Sequence, residues 1–150
     1  MATAATDRAS LTGQALEVVT AVVRLLRTAA GRPQAGDGLS LTELRLLKRL
    51  GRGVRLASEL AAELDVTAPT VSAAVDALVR RALVERREPA GDRRAVPLAA
   101  TPAGIAALEE ARHRQQQALA ALLDQLNPHE RRALQAAIPA LARALEDQRL

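Results

Sequence analysis

The stretch VTAPTVSAAVDALVRRALVERREPAGDRRAV, residues 66 to 96, sets small polar side chains ahead of arginines. Thr67, Ala68, Pro69, Thr70, Ser72 and Ala73 open it. Arg80, Arg81, Arg86, Arg87, Arg93 and Arg94 follow against Glu85, Glu88 and Asp92, a local net charge of +3 over 80–94. A nucleic-acid groove calls for these types. Small side chains let a backbone approach, hydroxyls reach base edges or phosphates, and guanidiniums make bidentate contacts to either. Arginines in a hairpin turn suit a minor groove, whose potential attracts them.

Catalysis finds no matched set. Glu109 and Glu110 are adjacent, hence on different faces of a helix and unsuited to paired acid–base work. Ser10, Ser40, Ser58 and Ser72 sit in no nucleophile elbow, and no Gly-rich phosphate loop is present. His113 and His129 are the only histidines, and neither has a second His at ligand spacing. Glu109, Glu110 and His113 make a poor metal cluster, and cysteine is absent. No enzyme activity, metal or cofactor is expected.

Composition limits the scaffold. The 150 residues suit one domain, or one domain with oligomerisation helices. They are 49 % hydrophobic with no Phe, Tyr or Trp, so the core must be Leu, Val and Ala, which favours helix on helix. The net charge is +4, and Lys48 is the only lysine. The opening MATAATDRAS has no long apolar run, and no segment approaches 18 uninterrupted apolar residues. A cytoplasmic protein without a membrane segment is expected.

Leu11, Ala15, Val18, Val22, Leu25 and Ala29 form a helical stripe that ends at Gly31 and Pro33. Ser40 with Glu43 is a capping-box signature for a helix through about Leu50. A short helix follows over Ala57 to Leu64, for which Leu56 is a poor cap. Thr67 predicts an N-cap and Pro69 a first turn for a helix to about Arg81, buried through Val71, Val75, Leu78 and Val79. "LVERRE" and "RAVPL" read as strands around "PAGD", with Gly91 free to adopt positive φ. Pro97 makes the second strand an edge. Thr101-Pro102 opens a long helix reaching Leu126. Asn127 and Glu130 cap a last one, amphipathic through Leu134, Ile138, Leu141 and Leu145 and kinked or weakened by Pro139. The expected order is α–α–α–α–β–β–α–α.

Two short helices joined by "LDVT" and followed by a hairpin give a mostly α, winged helix-turn-helix fold. The segment from Ala57 to Gly104, "ASELAAELDVTAPTVSAAVDALVRRALVERREPAGDRRAVPLAATPAG", resembles the core of MarR-type transcriptional regulators. The likeness lies in the "ELA" helix, the Thr67–Thr70 helix start, "LVER", the wing "GDRRAV" and Thr101 to Gly104; "LTELRLLKRL" resembles the preceding helix. The resemblance implies a homodimer on a pseudo-palindromic operator in double-stranded DNA, held together by flanking helices. It puts Thr70 and Ser72 at recognition-helix contact positions. Arg94, held by Asp92, falls at the wing tip that enters the minor groove. Thr67, Ala68, Pro69, Ala73, Arg86, Arg87 and Arg93 complete the DNA-facing set. The family usually has Gly where this chain has Ala82, and Leu where it has Ala100. Ala73 and Ala74 stand where many relatives carry a longer polar side chain at the first position, so base readout is sparse and the helix sits deep.

The implied divisions are an N-terminal dimerisation helix and loop at 1–38, the DNA-binding winged helix at 39–101, and C-terminal dimerisation helices at 102–150. The two-fold contact is expected over about 8–30 and 104–148, so deleting 1–30 should weaken dimerisation and DNA binding together. The resemblance also implies repression relieved by a small-molecule inducer. Without aromatic side chains, such a ligand would rest on Leu, Val and Arg. Two other readings stand beside this one: a DNA-binding protein that senses nothing, and a winged-helix protein-interaction adaptor.

Overall fold

The computed structural model describes residues 2–31, 38–88 and 96–147. Its elements run α1 (Ala2–Ala29), α2 (Leu41–Leu50), β1 (Arg55–Leu56), α3 (Ala57–Leu64), α4 (Ala68–Arg80), β2 (Val84–Arg86), β3 (Pro97–Ala100), α5 (Pro102–Leu123) and α6 (Pro128–Asp147). The chain divides into two compact units, Met1–Gln115 and Gln116–Leu150.

In the first unit, local chemistry sets the helix starts. Ser40 Oγ accepts the Glu43 N–H at 3.2 Å while the Glu43 carboxylate accepts the Ser40 N–H at 2.6 Å. This satisfies two otherwise orphaned donors of α2. At α3, Leu56 offers no side-chain acceptor, and only the reverse half survives, Glu59 Oε2 accepting the Leu56 N–H at 2.8 Å. Leu46, Leu47, Leu60, Val71, Leu78 and Val84 are fully buried, a core of Leu and Val with α2, α3 and α4 packed around it. The first turns of α5 reach it through Leu108 and Ala111. Arg45 of α2 donates to the Leu64 carbonyl at 2.8 Å and so fixes the end of α3.

Both helix ends at the turns use left-handed residues other than glycine. Asp65 has φ +51 after α3, and Ala82 has φ +55 after α4. At the second end Leu83 N–H donates to Leu78 O and Ala82 N–H to Val79 O, both at 2.9 Å, the paired bonds that close a helix on an αL residue. A Cβ in that region costs about 1–2 kcal/mol, partly offset by the larger entropy loss of glycine. Ala82→Gly should therefore raise the urea midpoint, worth about 0.5–1 kcal/mol, without changing the m-value. A lowered midpoint would mean the alanine methyl makes contacts that outweigh its backbone strain.

The sheet corrects two expectations. It has three strands rather than two, in the order β1-β3-β2 and antiparallel throughout. β3 is thus central, not the edge that Pro97 predicted. Pro97 is its first residue, opposite Leu56, and its carbonyl accepts the Arg87 N–H at 2.8 Å, so no ladder bond needs the N–H it lacks. The "PAGD" turn and Gly91 lie outside the described residues.

In the second unit, α5 ends at Leu123, short of Leu126. Asn127 Oδ1 accepts the N–H groups of His129 and Glu130 at 2.9 and 3.0 Å, capping α6. That helix runs unbroken through Pro139 and buries none of its residues.

Candidate nucleic-acid interface

Helix α4 has two unlike faces. Val71, Val75 and Leu78 go into the core, while Ala68, Pro69, Thr70, Ser72 and Ala73 are exposed at its N-terminal end. No exposed side chain there is larger than threonine or proline, which leaves the helix backbone approachable. Ala74 departs from expectation: it packs half-buried against the core instead of joining that face.

Thr67 caps the helix. Its Oγ1 accepts the Thr70 N–H at 3.4 Å and lies 2.8 Å from the Thr70 hydroxyl. The two threonines are therefore coupled, and Thr70 presents its hydroxyl from a fixed position.

Arg86 and Arg87 project from the wing side, both about half exposed. Arg86 Nη2 meets Asp76 Oδ1 at 2.5 Å, and Arg87 Nε meets Glu85 Oε1 at 3.0 Å. Exposed pairs of this kind are worth about 0–1 kcal/mol, so a phosphate can compete for either guanidinium. Asp92, Arg93 and Arg94 lie outside the described residues.

Two anchors escaped the sequence reading. Asp76 on α4 holds Arg86 across ten positions, and the acid carries no signal beyond its place on the half-exposed face. Glu43, read only as a capping residue, is 4 % exposed and also faces Arg81 Nη1 at 3.7 Å. It thus joins the start of α2 to the residue that ends α4. Glu109 and Glu110 are engaged by Arg112 and Arg114 at 3.0 and 3.3 Å, and among the described residues no group of three His, Asp or Glu could hold a metal ion.

A helix–turn–helix formed by α3 and α4, flanked by the β2–β3 hairpin and the short β1, is a winged helix-turn-helix. Residues 37–95 match the model of the MarR family. The whole chain is similar in fold to the YusO protein of Bacillus subtilis, at 25 % identity and TM-score 0.72, covering 97 % of this chain and 98 % of that one. RV1404 of Mycobacterium tuberculosis gives 24 % identity and TM-score 0.73, over 90 % and 91 %. A single-residue mutant of S. aureus MepR, in a structure bound to an oligodeoxyribonucleotide, gives 20 % and TM-score 0.63, over 89 % and 97 %. No curated protein matches the chain.

Proposed function

We propose that this chain is a homodimeric, sequence-specific DNA-binding transcriptional regulator that represses its targets and is released by a small-molecule ligand. The observation that carries the reading is the exposed N-terminal face of α4, built only of Ala, Pro, Thr and Ser beside the wing arginines. The oligodeoxyribonucleotide-bound MepR structure supports DNA as the partner. Residues 39–101 make the DNA-binding part, and 1–38 with 102–150 make the dimer contact.

Exposed apolar side chains support the dimer. On α1, Leu11, Leu16, Val18 and Val19 are 58–67 % exposed. Between Ala9 and Ala29 this helix is long and apolar enough, by length and composition, to cross a membrane. Yet it carries Glu17, Arg24 and Arg27, and an arginine at a bilayer centre costs about 2.5–3.5 kcal/mol on insertion scales. A second protomer is the better cover, in keeping with a cytoplasmic protein.

A cavity of about 620 Å³ in the first unit, lined by Leu26, Leu39, Leu44, Arg24, Arg27 and Gln115 among others, supports an inducer site of aliphatic walls and guanidiniums.

Footprinting on the DNA flanking this protein's own gene tests the reading. A protected two-fold site with half-site centres about 34 Å apart is the expected result. Arg94→Ala should weaken binding to any duplex and flatten the slope of log K against log salt by about one unit. Unchanged affinity and slope would remove the wing tip from the DNA contact. Equal binding of the protected site and of random DNA would favour a non-specific module instead.

A further inference from the structure

We propose that Ser58, Ser72 and Arg86 together seat one phosphate of the DNA backbone, so that Ser72 holds register and does not read a base. The inference rests on the DNA-binding reading above and deepens it. A cavity of about 300 Å³ opens where α3, α4 and the sheet meet. Buried Val75 and Leu98 form part of its wall, and its polar lining is Ser58, Ser72 and Arg86, all exposed. These three come from separate elements: the first turn of α3, the first half of α4, and β2.

Chemistry narrows the occupant. Hydroxyls at the starts of α2, α4 and α5 are occupied, Ser40, Thr67 and Thr101 by capping and Thr70 by Thr67. Within the described residues no hydrogen bond engages the hydroxyl of Ser58 or Ser72. Arg86 gives one N–H to Asp76, which fixes the guanidinium and leaves its other donors unassigned. Among the described residues no carboxylate lines the cavity. The lining thus offers two hydroxyls that can donate and a cation, which matches an oxygen-rich anion. A phosphodiester presents acceptors only, whereas a base edge presents its own pattern at the groove floor. Reading that edge is the work of one helix, and here two successive helices converge with a strand on a single point.

The test uses the full chain, the duplex it protects in footprinting, and a random duplex, with fluorescence anisotropy over a salt series. Arg86→Ala should weaken both duplexes about tenfold, with a salt slope shallower by about 0.9. Arg86→Lys should keep the slope and lose only part of the affinity. Ser58→Ala and Ser72→Ala should each cost about three- to fivefold on both duplexes at unchanged slope. Combined with Arg86→Ala they should cost less than the product of the single effects, because all three act on one phosphate. Far-UV circular dichroism identical to the parent separates these effects from misfolding. Loss confined to the protected duplex in Ser72→Ala, or no loss in Ser58→Ala, would overturn the seat while leaving DNA binding intact. Failure of the parent protein to bind either duplex would overturn the regulator reading, and the seat with it.

Discussion

Gly104→Ala should lower the midpoint of thermal unfolding by about 6–12 °C. A Cβ at Gly104 would lie 2.0 Å from the Leu83 carbonyl oxygen and 3.0 Å from its carbon, both backbone atoms. That oxygen cannot swing aside, because it accepts the Thr101 N–H at 3.1 Å. Thr101 is tied on both sides as well: its hydroxyl donates to the Ala82 carbonyl at 2.7 Å and accepts the Gly104 N–H at 3.0 Å. The start of α5 is therefore bonded to the junction of α4 and β2, and relief of the clash requires breaking that set or tilting α5 out of the core. Overpacking of this kind costs about 3 kcal/mol, a large part of a stability of about 5–15 kcal/mol. Gly13→Ala is the matched control, since a Cβ there meets nothing within 4 Å on helical α1. It should be neutral or stabilising by up to about 1 kcal/mol. A change below about 1 °C in Gly104→Ala would show that α5 can slide on its seat.

Ile138→Asp with Leu141→Asp should convert the protein to a 15.9 kDa monomer. On α6, Leu134, Ile138, Leu141 and Leu145 are spaced by four, three and four, which puts them on one stripe. Their exposures are 36, 54, 61 and 62 %, and none of the four is buried. Burying one such side chain is worth about 1.5–3 kcal/mol, and in a two-fold contact each substitution acts twice. Because two half-sites linked in one dimer gain about 10²–10⁴ over one alone, affinity for the protected site should fall at least about 100-fold. Binding to random DNA should fall far less. Sedimentation velocity and anisotropy read both. A variant that stays dimeric would place the contact elsewhere, with α1 the next surface to examine.

Local rules made the helices legible. Ser40, Thr67, Thr101 and Asn127 each sit at a helix start with the hydrogen bonds their side chains imply. The apolar spacing of Val71, Val75 and Leu78 marked the buried face of α4 before its partners were known. What stayed hidden depends on distant residues. β1 is two residues long and has no period to detect; it exists because β3 lies beside it. Pro97 misled because a rule about strand interiors was applied to a strand's first residue. Ala74 is small whether it meets solvent or the core, so its type carried no information about its side. Asp76 acquires its role only through Arg86, ten positions on, and Glu43 its role beyond the capping box only through Arg81, 38 positions on.

The bonds around Thr101 also bear on how such a protein can diverge. The segment from Val84 to Ala100 leaves and re-enters the core at one knot, Ala82 and Leu83 against Thr101 and Gly104. One rung further out, the Arg87 N–H meets the Pro97 carbonyl at 2.8 Å. Together these bonds hold β2 and β3 in register from the ends that meet the core. A chimera that keeps Thr101, Gly104 and the Pro97 pairing, but carries a foreign sequence between Arg87 and Val96, should keep the fold, with an unfolding midpoint close to the parent's as the check. Helix α4 leaves no such freedom, because Val71, Val75 and Leu78 tie it into the core along its buried face.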